Sequence, residues 1–283
     1  SLVTNDINLS ANENYEFEIE YSGHGEFVLG WDAPGNLFNS EQQYLAAAKK
    51  ADAVIYFGGL SHADDRESVD RTHMFLPNAQ DEAINKLLTV NKNTIVFLIA
   101  GSAVEMPWVD KANAIVWGWY GGMEAGNAFA DMLTGDINPS GKMPITLPKK
   151  LTDTAPIMLN DYNEKESLYS EGVYIGYRWF EQQDIKPNFY FGHGLSYSSF
   201  AYSNIKLSTG TFIKDQTLTV TATVTNNSTV AGAEIVQLYL HDKVASVERP
   251  YKELKGFDKV FLRAGESKQV SITLTQRDLS FWD

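Results

Sequence analysis

Residues 61–77 read SHADDRESVDRTHMFLP, and six charged side chains fall within eight positions: Asp64, Asp65, Arg66, Glu67, Asp70 and Arg71. An apolar run, ADAVIYFGG, comes just before them. Acidic loops are usually solvated, and that is the plain reading of this one. The chemical reading is a carboxylic acid poised for proton transfer, which needs a pKa raised by apolar or acidic surroundings. Glu67 is the candidate. Asp70 and Arg71 can pair and fix the loop, leaving Glu67 free, while Asp64 and Asp65 can act on it through like charge.

Other reactive side chains carry less. His62 and His73 flank the loop without the i, i+4 spacing of a helical metal pair, and no His/Asp cluster completes a site, so no metal is expected. The glycines after the apolar run form no GxGxxG, which makes nucleotide binding a weak reading. Ser61 and Ser102 follow apolar runs, but neither lies in GxSxG. No cofactor is expected. Trp117, Trp119 and Tyr120 end another apolar run, where aromatics either fill a core or stack on sugar rings. Both readings stay open.

The elements that must position these residues show in the hydrophobic period. ADAVIYFGG, NTIVFLIAG and NAIVWGWYGG read as buried strands. Between and after them, NAQDEAINKLLTV puts Ala83, Ile84, Leu87 and Leu88 on one helical face, and EAGNAFADMLTG ends with Gly135 as a helix C-cap. Ser40 and Gln43 form a capping-box signature opening the helix EQQYLAAAKK. Strand–helix alternation predicts a parallel sheet covered on both faces, with ligands bound at the carboxyl ends of the strands. GGLSHADDRE, GSAVEMPW and WYGGMEAGN all fall there.

The texture changes toward the end of the chain. KDQTLTVTATVTNNS alternates Leu218, Val220, Ala222 and Val224 with Thr, and AEIVQLYLHD, KVFLRAGES and KQVSITLTQ add short strands. This predicts an immunoglobulin-like antiparallel sandwich over residues 196–283. At the other end, residues 15–31 alternate Tyr15, Phe17, Ile19 and Tyr21 with glutamates, as strands do, around an SGHG turn. The expected organisation is residues 1–36 as strands of a preceding accessory domain or linker, 37–160 as an α/β domain, 161–195 as an aromatic-rich connection, and 196–283 as the sandwich. Asn8-Leu9-Ser10 and Asn226-Asn227-Ser228 fit the glycosylation sequon.

Composition bounds the partners. The 283 residues carry a formal charge of −13, which argues against nucleic acid. No apolar stretch approaches the ~20 residues of a membrane span. With no Cys, thiolate chemistry and disulfides are excluded. The compartment stays open, with a periplasmic or secreted setting favoured over a cytoplasmic one. The chain does not begin with Met, so a processed or partial chain is expected. A homo-oligomer is compatible with all of this.

The segment ADAVIYFGGLSHADDRESVDRTHMFLPNAQ resembles the acid/base loop of glycoside hydrolase family 3, the β-glucosidase family. The family pattern is a buried strand, then E-G-x-D-R, then L-x-L-P-x-x-Q. Glu67, Asp70, Arg71, Leu76, Pro77 and Gln80 match it; Ser68 replaces the usual Gly, and Phe75 interrupts the spacing. GSAVEMPWV, WYGGMEAGNAFADMLTGDINPSGKMPITLP, YSEGVYIGYRWFE and FYFGHGLSYSSFAYS are similar to further landmarks, as is the region from AEIVQLYLHD to FLRAGES. The resemblance implies an α/β sandwich domain followed by a fibronectin type III-like domain, with the last family strand absent.

It also implies a retaining hydrolase acting on a β-glucoside or cello-oligosaccharide, with Glu67 as acid/base and Asp70 and Arg71 supporting the loop. The nucleophile would come from an N-terminal (β/α)8 barrel, a partner segment not found in this sequence. Substrate-binding residues are not assigned. The competing readings are a non-catalytic carbohydrate-binding or scaffold fragment and, less favoured, a nucleotide-binding α/β protein.

Overall fold

The computed structural model describes residues 40–163 and 165–281. The strands expected over residues 15–31, the segment 1–36 and the sequon at Asn8 lie outside the described residues. The chain divides into two compact units, 1–44 and 45–283. Of the first, only the start of helix α1 (Glu41–Lys50) is described. There the Ser40 hydroxyl accepts the Gln43 amide at 3.4 Å, satisfying one of the helix's orphan donors.

The larger unit begins with a parallel sheet of order β1 (Val54–Gly59), β2 (Thr94–Ile99), β3 (Ala114–Trp117). Helix α2 (Gln80–Val90) links β1 to β2, and helix α3 (Ala125–Thr134) follows β3. Strand β2 is central, so Val96, Phe97 and Leu98 are fully buried. Ile84, Leu87 and Leu88 of α2 are buried, and Ile84 and Leu88 share a core with Val96 and Leu98. Trp108 is also fully buried and donates its indole N–H to Asp81 in the first turn of α2, at 2.7 Å. Burial there pushes the Asp81 carboxyl up, although this bond pulls the other way. Gly135 ends α3 with φ 89°, a conformation glycine takes without strain.

One expectation is corrected. Strand β1 was expected to be buried on both faces, yet Ile55 is 45% and Phe57 53% exposed. β1 lies at the edge of the sheet, and these residues alternate away from the face that packs on α2. On that second face the Phe97 ring lies 4.4 Å from that of Phe129 in α3 and 4.9 Å from that of Phe57, centroid to centroid. Apolar sequence alone does not tell a central strand from an edge one.

After the sheet come the short helices α4 (Ala155–Met158) and α5 (Tyr177–Gln182), joined by a small core of Ala155, Trp179 and Phe180. The chain then forms two antiparallel sheets. One has the order β4 (Phe200–Leu207), β5 (Leu218–Asn226), β8 (Ser267–Leu274); the other pairs β6 (Gly232–Leu240) with β7 (Glu253–Leu262). Val224, Val236, Leu262 and Val270 fill the space between them. The alternate threonines bond across strands, as Thr219 does to Thr273 at 3.1 Å.

Asn226 is fully buried. Its amide donates to the carbonyls of Val230 and Leu262, and its oxygen accepts from Ser228. The sequon at 226–228 is thus a structural turn with no exposed acceptor.

Asn138 joins the two parts. Its amide donates to Ser198 and to the Ala231 carbonyl, and its oxygen accepts from Ser196 and the Tyr197 amide, all between 2.8 and 2.9 Å. Every hydrogen-bonding position of that side chain is in use. Among the described residues no helix is long and apolar enough to cross a membrane.

Candidate active site

The loops after β1, β2 and β3 meet at the carboxyl end of the sheet, and one carboxylate ties them together. Asp65, after β1, accepts the Gly101 amide at 3.0 Å and the Ser102 hydroxyl at 3.0 Å, both after β2. It also accepts the Tyr120 hydroxyl, after β3, at 2.9 Å. Partial burial works to raise the Asp65 carboxyl, but these donors and the Arg71 charge outweigh it and hold it below the usual carboxylate range. Burial, and after it the bond to Asp65, pushes the Tyr120 hydroxyl up. Gly101 lacks a side chain for a reason: a Cβ there would stand 2.6 Å from the Tyr120 ring.

The start of the loop is held from α2. Gln80 accepts the Gly59 amide and donates to the Gly59 carbonyl, each at 2.8 Å, standing in for a neighbouring strand at the edge of β1. Gly59 itself passes so close to β2 that a Cβ would meet the Ile99 carbonyl oxygen at 1.9 Å. Asp64 then accepts both the amide and the hydroxyl of Ser61, at 3.0 and 2.6 Å, and these bonds hold its carboxyl low.

Glu67 sits at the tip of a tight turn. Arg66 and Val69 form a bridge across it, and Ser68, second in the turn, has φ 64°. That left-handed conformation favours glycine over serine. The turn lifts Glu67 into solvent, with no hydrogen-bond or ion-pair partner among the described residues.

The return limb is anchored twice. Asp70 accepts a short hydrogen bond from the Tyr162 hydroxyl, which raises Tyr162 through that bond and then through the Asp70 charge. Arg71 donates to the Ser102 hydroxyl at 3.1 Å and to the Ala103 carbonyl at 2.5 Å. Its other terminal nitrogen, Nη1, is buried without a partner. No ion pair joins Asp70 to Arg71; each binds a different loop instead.

The remaining candidates resolve by contact. Trp117 packs on the main core and donates to the Ala100 carbonyl at 3.2 Å, whereas Tyr120 belongs to the Asp65 junction. Ser61 and Ser102 are loop ties. His73 lies against Phe75 at 5.4 Å. Among the described residues no group of three or more His, Cys, Asp or Glu side chains is placed to hold a metal ion. Tyr162 was not anticipated: 92 positions separate it from Asp70, and only its place in an aromatic connection hinted at a role.

A parallel α/β sheet with an acidic loop at its strand ends, followed by an antiparallel sandwich, defines the class. The Glycosyl hydrolase family 3 C-terminal domain matches residues 8–177, and a Fibronectin type III-like domain matches residues 234–283. The chain belongs to glycosyl hydrolase family 3.

Among curated relatives, the "Probable beta-glucosidase I" of Aspergillus niger is 47% identical over 246 residues, covering 84% of this chain and 30% of that protein. The "Thermostable beta-glucosidase B" of Acetivibrio thermocellus is 43% identical, covering 94% and 36%. Among solved structures, the Kluyveromyces marxianus β-glucosidase in complex with glucose superposes with TM-score 0.77 at 38% identity, over 84% of this chain and 28% of that one. The Bifidobacterium adolescentis β-glucosidase gives 0.78, also at 38%, over 88% and 37%. The chain thus spans about a third of the length of these relatives.

Proposed function

We propose that this chain supplies the proton-transferring part of a retaining β-glucosidase that removes terminal β-linked sugars, with Glu67 as acid/base. The observation that carries this is the division of labour among the loop's carboxylates. Asp64, Asp65 and Asp70 all accept hydrogen bonds from neighbours, and the first two are held low. Glu67 alone is unpartnered among the described residues, at the tip of a turn anchored on both sides. The names of the relatives supply the substrate class.

In the first half-reaction Glu67 gives its proton to the glycosidic oxygen as the C1–O bond breaks, and the sugar is taken up by a carboxylate nucleophile. In the second, Glu67 takes a proton from water as that water attacks C1, which frees the nucleophile and restores the acid. We assign the nucleophile to a barrel segment in the part of the relatives that this chain does not cover. It must come within about 5–5.5 Å of the Glu67 carboxyl. The loop would belong to an α/β domain over 37–160, with 161–195 as connection and 196–283 as the fibronectin-like domain.

The test is Glu67→Gln in the complete enzyme, with kcat/KM measured against leaving-group pKa. Substrates with poor leaving groups should lose about 10²–10⁴-fold, and a dinitrophenyl glucoside should be nearly spared. An equal loss across all leaving groups would remove Glu67 as the acid. No loss at all would favour a non-catalytic fragment.

A further inference from the structure

The chain from α4 toward α5 is folded inside out. From Pro156 to Ser170 every described residue is exposed except Asp161, which is only 6% exposed. Ile157, Met158, Leu159, Tyr162, Leu168 and Tyr169 stand 39–73% exposed. A loop that served only its own chain would turn such side chains inward and leave the carboxylate in water. Apolar side chains gathered on one surface mark a contact with something else.

Hydrogen bonds hold the stretch in this form. The Asp161 carboxylate accepts the Ser170 amide at 2.8 Å, and the Asp161 carbonyl accepts the Leu168 amide at 3.1 Å. Tyr162 and Ser167 bridge as in a hairpin. Asn163 closes the tip, its side-chain oxygen accepting the Lys165 and Glu166 amides at 2.9 and 3.0 Å. Tyr169, the most exposed of the six, has φ 53°, a left-handed backbone that a bulky residue takes only under constraint. Strain of this kind collects at functional positions.

The face runs up to the Glu67 turn. The Tyr162 hydroxyl donates to Asp70, and the neighbouring Val69, half-exposed, bridges to Arg66 across that turn. A retaining mechanism needs a second carboxylate about 5–5.5 Å from that of Glu67, so its carrier comes down beside the same turn. This chain spans about a third of the length of its relatives, which leaves the larger part of the enzyme to supply that carrier. A second copy of the chain fits less well, because each copy brings a formal charge of −13.

We propose that residues 156–170 are the docking platform for the nucleophile-bearing segment of the complete enzyme, which rests on the nucleophile lying outside this chain. Leu168 and Tyr169 are buried in that contact, and Tyr162 keeps the platform in register with the acid/base loop. Permanent contacts are apolar in this way, like a core cut in two.

The test is nitration by tetranitromethane, with the rate at Tyr169 read by peptide mass spectrometry in this chain and in the complete enzyme. Tyr169 should react at least about tenfold more slowly in the complete enzyme, and equally slowly in its Glu67→Gln form. Leu168→Asp, at an exposed position, should leave the thermal midpoint of this chain unchanged and return the Tyr169 rate in the complete enzyme toward that of the chain. Equal rates in chain and enzyme would overturn the proposal, as would a Leu168→Asp enzyme that protects Tyr169 as fully as the parent. Protection that appears only when D-glucose is added would overturn it by making Tyr169 a sugar contact. Protection in the chain alone that grows with its concentration would overturn it by making the occupant a second copy. The role of Glu67 is decided separately, by the leaving-group dependence of Glu67→Gln.

Discussion

The Tyr120 hydroxyl donates to Asp65 Oδ2 at 2.9 Å, linking the loop after β3 to the loop after β1. The same oxygen takes the Gly101 amide, so one atom holds three strand ends. Asp65→Asn would turn an amide N–H₂ toward donors that need an acceptor. We expect a loss of about 1–2 kcal/mol, modest because the site is partly exposed. Urea denaturation of the chain should show a lower midpoint at unchanged slope. In the complete enzyme kcat should fall while its dependence on leaving-group pKa stays as in the parent, because Asp65 positions the loop and transfers no proton.

Ser68 occupies a left-handed conformation at φ 64° beside Glu67. Ser68→Gly should therefore stabilise the chain by about 1 kcal/mol, and Ser68→Val should destabilise it by more. The thermal midpoints of the two variants should move in opposite directions. A drop on Ser68→Gly would mean that the turn differs from the one described.

Gln80 closes two backbone hydrogen bonds on Gly59. Gln80→Ala would leave both Gly59 groups to find other partners, at a cost of about 1–3 kcal/mol. Gln80→Glu keeps the acceptor and loses the donor, so it should fall between the two. Hydrogen exchange at the Gly59 amide, faster in Gln80→Ala, gives a local readout that global unfolding does not.

Asp64 and Asp65 are both held below the ordinary carboxylate pKa in the folded chain. Their stabilising contribution is complete above the unfolded value, about 3.9, and is lost as pH falls through the lower folded values. Acid unfolding of the parent should therefore be steeper below about pH 4 than that of Asp65→Asn. Identical acid profiles would show that Asp65 gains nothing from its donors.

Much of this was legible in the sequence because it follows local period. The helix over 80–90 was marked by Ile84, Leu87 and Leu88, and the sandwich strands by the Val/Thr alternation of 218–225. The exposure of Ile55 and Phe57 was not, because whether a strand is central or at an edge depends on neighbours far away in sequence. Asp70 and Arg71 were read as partners because they are adjacent. The fold gives each a nearer match from another loop, Tyr162 for one and Ser102 with Ala103 for the other. Likewise Asn226 fits a modification motif by type, and only its burial shows that the side chain is spent inside the turn.

The most direct measurement of the central claim is turnover of 2,4-dinitrophenyl β-glucoside by the Glu67→Gln form of the complete enzyme, with and without azide. This substrate loses its leaving group unaided, so the glycosyl-enzyme should accumulate for want of a general base. Azide needs no deprotonation to attack C1. The account predicts that azide accelerates kcat by at least about tenfold, within the ~10²–10⁴-fold worth of the missing base, and that β-glucosyl azide is the product. A Glu67→Gln enzyme that azide does not rescue, or that releases only glucose at an unchanged rate, would contradict the assignment.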